Sequence, residues 1–392
     1  MEDVFVLAGQ RTAIGDFGKS LKDIPPTKLG EIAIRAALAK AGVEAAEIQH
    51  VVMGNVIHTE PRDAYISRVA AVNAGIPVET PALTVNRLCG SGLQAIISAA
   101  QTIMLGDASL AIGGGAESMS RGGYLLPSGR WGARLGDAQM VDMVVGALHD
   151  PFGHGHMGIT AENIAARYQI TRDEQDEFSL ESHRRAAAAI AAGYFKDQIT
   201  PVEIPSRKAP IIFDTDEHVR TDVTAANLAG LKPAFKKDGT VTAGNASGLN
   251  DGGAALVLAS GTETKRRNAT PLARLVAYGH AGVAPEVMGL GPIPASQNAL
   301  RKAGLTIADI DVIESNEAFA AQACAVARDL GFDPARVNPN GGAVALGHPI
   351  GASGAVIAIK AIYELHRTQG RYALVTMCIG GGQGIAAIFE RV

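Results

Sequence analysis

The sequence predicts an α/β protein whose central sheet is covered by helices on both faces. Three observations lead there. Apolar runs of strand length alternate with amphipathic runs of helix length. Glycine-rich stretches repeatedly follow the strand runs and lead into apolar helices, as at 89–92 and 347–354. The two ends of the chain share this layout, while the middle is richer in charge, histidine and proline.

The elements follow in order. Residues 4–8 form a strand behind a short acidic stretch that lacks the apolar core of a signal peptide. Residues 29–41 carry a helical period that stops at Gly42. A strand at 51–56 contains Gly54, and 64–74 reads as a helix. The strand at 83–85 feeds Asn86-Arg-Leu-Cys-Gly-Ser-Gly92 and the apolar helix 93–104. A strand at 110–113 ends in the triple-glycine run that continues to Ser118. Residues 120–248 read as an insertion of loops, where binding residues often sit. Within it, Thr171 and Glu174 form a capping box for a helix that runs to about Ala192 and stops at Gly193. From 251 the α/β pattern returns. Strands are expected at 254–258, 271–277 and 311–314, then helices at 317–330 and 351–365. Strands at 372–377 and 385–389 flank Cys378-Ile-Gly-Gly-Gly-Gln-Gly384. Residues 83–115 and 337–382 match in layout, which suggests one unit used twice, although any α/β chain repeats strand–helix–strand.

Composition bounds the function. The 392 residues suffice for two or three domains or one duplicated core. Lys plus Arg number 35 and Asp plus Glu 39, and the net charge of −4 argues against a nucleic-acid binder. At 47% hydrophobic and 19% charged residues, global disorder is excluded. No apolar stretch reaches the roughly 18 uninterrupted residues of a membrane span. The three cysteines cannot build a disulfide framework or a four-cysteine zinc site, and point to a reducing, cytoplasmic setting.

Cys89 is the first candidate for chemistry. It stands where a strand gives way to an apolar helix, and the free N–H groups and dipole of a helix start favour an anion. A thiol there is expected to ionise below its ordinary value. A buried, inert cysteine is the competing reading. His348 lies between glycines in Gly347-His-Pro-Ile-Gly-Ala-Ser-Gly354, with Pro349 placed for the first turn of the next helix. It would activate a thiol, or simply cap that helix. Cys378 ends a strand beside a nest of glycine N–H groups that suits an oxyanion. Asn316 starts a helix as its N-cap, or aims its amide at a reacting carbonyl. Cys324, inside a helix, reads as packing. His154 and His156 lack a third ligand at metal-site spacing, so no metal site is expected. Asn245-Ala-Ser247 matches a glycosylation acceptor without a secretory signal to expose it. Neither a Gly-x-Ser-x-Gly elbow nor a phosphate-binding P-loop occurs.

Four motifs together carry a resemblance. They are the Cys89 turn, Asn316-Glu-Ala-Phe-Ala320, the run from Gly341 to Gly354, and 378–384. In this order they resemble the thiolase family, and the likeness extends over the whole chain, through 113–120 and 242–252. It is strongest to bacterial biosynthetic and broad-range β-ketothiolases (acetyl-CoA acetyltransferases). The resemblance implies duplicated βαβαβαββ halves in a layered α/β/α/β/α core with an inserted loop domain. It divides the chain into 1–119, an inserted 120–248, 249–270 completing the first half, and a second half at 271–392. It implies an acyl-CoA:acetyl-CoA C-acyltransferase working by ping-pong through acyl-Cys89.

By position, His348 resembles the base for Cys89, and Cys378 the second acid/base. Asn316, holding a water, resembles one oxyanion hole with His348. The N–H groups of Cys89 and Gly380 resemble the other. His156, Met157, Arg220, Ser247, Ala318 and Phe319 resemble residues around coenzyme A, and Met157 and Met288 residues of the acyl pocket. Coenzyme A and acyl-CoA are implied as substrates, with no permanently bound cofactor. A homodimer assembling to a homotetramer is implied, with 120–140 helping to form the tetramer. Ser315 departs from the family, where an apolar residue usually precedes the Asn.

The same residues would serve a degradative 3-ketoacyl-CoA thiolase acting on longer chains. A decarboxylating ketoacyl synthase pairs its Cys with His and His or His and Asn, and Cys378 speaks against it. A non-enzymatic carrier on this fold could dispense with Cys89, Asn316, His348 and Cys378, all of which are present.

Overall fold

The computed structural model describes residues 2–392. The first half runs β1 (Val4–Thr12), α1 (Pro26–Ala41), β2 (His50–Gly54), α2 (Ile66–Asn73), β3 (Ala82–Val85), α3 (Ser91–Met104) and β4 (Leu110–Ser118). After the insertion it closes with β5 (Asn250–Ser260). The second half runs β6 (Ala273–Gly282), α6 (Pro292–Ala303), β7 (Val312–Ser315), α7 (Ala320–Leu330), α8 (Ser353–Thr368), β8 (Tyr372–Ile379) and β9 (Gln383–Arg391). Strand order is β7-β8-β9-β6-β1-β5-β4-β2-β3. The two half-sheets meet through a short antiparallel pairing, Phe5 with Arg274 and Val6 with Ala273. The second half reduces its third strand to one parallel bridge, Ile313 with Val337.

The period-2 alternation of the strands builds the layers. In β5, Ala254, Leu256 and Leu258 face the central core, while Ala255, Val257 and Ala259 face α1 and α2. In β9, Ile385, Ala387 and Phe389 face the same central core, while Ala386 and Ile388 face α6 and α7. The central layer is α3 and α8, so both helices are apolar nearly all round. The expected fold class is therefore the observed one, five layers of helix, sheet, helix, sheet and helix.

Several boundaries differ from expectation for physical reasons. The triple glycine does not end its strand: Gly113, Gly114 and Gly115 lie inside β4. A Cβ on them would come within 2.7 Å of Ile96 Cα, 2.2 Å of Ala254 O and 2.1 Å of Gly351 O respectively. Close approach, not turning, requires glycine there. The helix expected from Glu317 starts at Ala320, and Phe319 is its cap. Asn316 is therefore not an N-cap. Pro349 precedes α8 by four residues, in a turn of its own. The capping box of Thr171 and Glu174 is present and starts α5 (Arg172–Ala191), which follows α4 (Met157–Tyr168). The other insertion elements are short, including the antiparallel pairs Val202–Ile204 with Ile211–Phe213 and Tyr124–Leu125 with Val141–Asp142.

One buried ion pair fastens the insertion to the sheet. Arg11 on β1 donates to both carboxylate oxygens of Asp216, at 2.7 and 2.9 Å, and its Nε donates to Gln198 at 3.0 Å. Both side chains are fully buried. Arg11→Ala would leave the Asp216 charge buried and unpaired. A loss of about 3–5 kcal/mol is expected in denaturant unfolding; a loss below about 1 kcal/mol would show that the clamp carries little.

Candidate active site

Cys89 stands on a strained turn between β3 and α3. Leu88 just before it has φ 45°, a left-handed conformation that a branched side chain rarely adopts. Ser91 locks the turn: its Oγ accepts from Arg87 N–H at 2.8 Å and donates to Leu88 O at 2.7 Å. At the helix start the Gly90 N–H donates to Arg87 O and the Ser91 N–H to Leu88 O. The thiol keeps only two donors, the N–H of Gly380 and its own. Burial outweighs them and pushes the thiol up to about 11. The expected lowering at a helix start is thus reversed, because desolvation exceeds the pull of these donors.

His348 is held from three sides. Its N–H donates to Asn250 Oδ1 at 2.8 Å. Its Nδ1 lies 2.6 Å from Ser353 Oγ, which itself donates to Pro349 O at 2.9 Å. The Ser353 hydrogen is therefore used, so Nδ1 carries the proton and donates to Ser353. Nε2 is left with its lone pair, which faces the Asn316 Nδ2 at 3.5 Å. Burial pushes His348 down to about 4, so the ring is neutral. Asn316 Oδ1 is buried without a partner.

Cys378 is the last residue but one of β8, and the glycine run after the strand is the hairpin turn into β9, with Gly381 and Gly382 at φ 81° and 87°. Burial and the neighbouring Cys89 push its thiol well above the ordinary range. Cys89, His348, Cys378 and Gly380 share one pocket of about 40 Å³. Leu88, Leu148, Met157, Met288, Phe319 and Ile350 give it an apolar wall, and Ser247 and Ala318 complete that side. Ser247 N–H donates to Ala318 O at 3.0 Å, which joins the insertion to the segment before α7.

Comparison with known proteins places this architecture. Residues 4–262 match the family model of the thiolase N-terminal domain, and residues 269–391 that of the thiolase C-terminal domain. The chain belongs to the thiolase family. Beta-ketothiolase BktB of Cupriavidus necator is 66% identical to this thiolase over 391 residues, covering 100% of this chain and 99% of the relative. An acetyl-CoA acetyltransferase of Chromobacterium violaceum is 51% identical, covering 99% of this chain and 100% of the relative. The crystal structure of human mitochondrial 3-ketoacyl-CoA thiolase in complex with CoA has a TM-score of 0.97 at 45% identity, covering 100% of this chain and 98% of that one.

Not every residue singled out in the sequence of this thiolase reaches the pocket wall. His156 caps α4 through Gly158 N–H at 3.1 Å and stacks on Phe235, with ring centroids 4.7 Å apart, one step outside the wall. Arg220 lies exposed, its N–H on His183 Nδ1 at 3.2 Å. Asn316 borders a small neighbouring void with Ser353 and Pro349. Conversely, Ser353, Asn250 and Ser91 escaped sequence reasoning. Ser353 alone had a signal, five residues after His348 in the same glycine-rich run.

Cys89 and His348 are both neutral over a wide pH range. If His348 Nε2 takes the proton leaving sulfur, no exchange with solvent is needed while both groups are neutral, between about 4 and about 11. Below the His348 value the ring is already protonated and cannot accept, so reactivity falls as pH drops through it. Alkylation of Cys89 by iodoacetamide, read by peptide mass spectrometry, is expected to be flat from about pH 5 to about pH 9. A rise of roughly tenfold per pH unit would show a thiol ionising without help from His348.

Proposed function

We propose that this protein is a β-ketothiolase, an acyl-CoA:acetyl-CoA C-acyltransferase. The observation that carries the reading is one apolar pocket that presents Cys89, a neutral His348 with its Nε2 lone pair free of a proton, Cys378 and the Gly380 N–H. In thiolysis the Cys89 proton passes to His348 Nε2 and the thiolate attacks the 3-keto carbon. The bond between C2 and C3 breaks, leaving an acyl thioester on Cys89 and the enolate of acetyl-CoA. Cys378 protonates that carbanion. The Cys378 thiolate then takes the proton of free CoA, and the CoA thiolate attacks acyl-Cys89. Cys89 leaves as thiolate and recovers its proton from His348. In reverse, the sequence condenses two acyl-CoA molecules. The steps need no bound cofactor.

The N–H groups of Cys89 and Gly380 serve the oxyanion formed at the attacked carbonyl. Asn316, through a water, and protonated His348 serve the enolate oxygen. His156, Met157, Ser247, Ala318 and Phe319 line the approach of coenzyme A. Arg220 and the exposed lysines of the insertion meet its phosphates from further out. The names of the relatives and the CoA complex of the human enzyme support this reading. The exposed apolar side chains Tyr124, Leu125, Trp131, Leu135 and Met140 support assembly into a homotetramer. Three free cysteines suit a cytoplasmic enzyme, and no helix among the described residues is long and apolar enough to cross a membrane.

The second reading, cleavage of long chains, is disfavoured by the tight wall of Met157, Met288, Leu148 and Phe319. CoA-dependent cleavage of 3-ketoacyl-CoAs in a chain-length series tests it. Acetoacetyl-CoA and its five- and six-carbon homologues are expected to be cleaved, with rates falling steeply beyond them; faster cleavage of long chains would favour the second reading. Cys378→Ser is expected to acylate at Cys89 but to exchange the α-protons of acetyl-CoA about 10²-fold more slowly or worse. Unchanged exchange would remove Cys378 from the mechanism.

A further inference from the structure

One buried carboxylate near the reacting pair has no part in the chemistry above. Glu117, near the end of β4, is fully buried. Its Oε1 accepts from Asn55 Nδ2 and Ile57 N–H, both at 3.1 Å. Its Oε2 accepts from Val56 N–H at 3.1 Å and Gly351 N–H at 2.8 Å. Burial pushes the carboxyl up to about 8 against the pull of the three backbone donors. All four partners are N–H donors, so a proton on either oxygen would meet another hydrogen and find no acceptor. The surroundings fit an ionised carboxylate.

Those donors come from two halves of the molecule. Asn55, Val56 and Ile57 follow β2 in the first half. Gly351 belongs to the second half, three residues beyond His348 and next to Ile350 on the pocket wall. The carbonyl of the same glycine sits in a cradle of glycines. A Cβ would come within 2.1 Å of it from Gly115, 2.9 Å from Gly54 and 3.1 Å from Gly92. A Cβ on Gly351 itself would come within 2.5 Å of Glu117 Oε2. The N–H of Gly351 is thus gripped by a charge while its carbonyl rests on bare backbone, just beyond the Cys89 turn.

We propose that Glu117 is a positioning residue for the reaction: by holding the Gly351 N–H it sets the His348 imidazole against the Cys89 sulfur. It touches neither substrate nor reacting atoms. The proposal rests on the reading of His348 as the base for Cys89.

A double-mutant cycle tests it, with alkylation of Cys89 by iodoacetamide as the readout in wild type, Glu117→Gln, His348→Ala and the double variant. Glu117→Gln places an NH₂ group among N–H donors and loosens the loop. It is expected to slow alkylation about 30-fold in the wild-type background and less than about twofold in the His348→Ala background. Turnover of acetoacetyl-CoA is expected to show the same fall in kcat, with KM within about twofold. An equal loss in both backgrounds would mean general loosening and overturn the proposal. Faster alkylation in both would mean that Glu117 acts only through its charge on the sulfur, and no change would mean that it does nothing; either overturns it. His348→Ala alone leaving alkylation unchanged would instead refute the Cys89–His348 reading itself. Should Glu117→Gln fail to fold, Glu117→Asp, which keeps the charge but draws back from Gly351, replaces it with the same pattern expected.

Discussion

The structure depends on one close approach, the crossing of α3 and α8 in the central layer. At their N-terminal ends the two helices meet backbone to backbone. A Cβ on Gly354 would come within 2.3 Å of Leu93 N, and a Cβ on Gly92 within 2.8 Å of Ala355 N. Real Cβ contacts are not that short, so only glycine permits the crossing. Cys89 stands two residues before one helix and His348 one turn before the other. The contact that joins the two halves of the fold therefore also brings the thiol and the imidazole to one pocket. The apolar surfaces of α3 and α8, buried between the half-sheets, hold that geometry in place.

Electrostatics at the pocket follow from the same burial. Desolvation disfavours charge on both Cys89 and His348, and the free pair is a neutral thiol and a neutral imidazole. Reactivity then cannot come from a thiolate waiting at a helix start. In the proposed mechanism it comes from proton transfer to His348 within the shared pocket, with N–H groups ready for the negative charge that the reaction creates. The Nδ1 hydrogen bond of His348 to Ser353 matters for that reason. It fixes the tautomer, so that the lone pair faces inward and not along the loop.

Most of the fold was legible in the sequence because its signals are local. The capping box at Thr171, the alternation of strands and helices, and the glycines beside Cys89, His348 and Cys378 can each be read within a few residues. What escaped depends on distant neighbours. The triple glycine reads as a turn because glycine is rare in strands, yet it is needed where Ile96, Ala254 and Gly351 press on β4. The helix at 317–330 starts late because 316–319 stays outside it, with Phe319 extended and bridged to Ala246 of the insertion. Asn250 and Ser91 look like ordinary polar residues until the chain brings them against His348 and the Cys89 turn. The loss of the helix-start effect at Cys89 was equally hidden, since it depends on the desolvation that the folded chain imposes on the sulfur.

The most direct test of the central claim is to mix the protein with acetyl-CoA, quench in acid and map the acyl group by peptide mass spectrometry. Cys89, Cys324 and Cys378 are all thiols whose ionisation is held back by burial. Ease of ionisation therefore does not choose among them, and the crossing of α3 and α8 does. The acetyl group is expected on Cys89 alone. An acetyl group on Cys378, or a protein that turns over without any acyl-Cys89, would contradict the claim that this crossing builds the nucleophile.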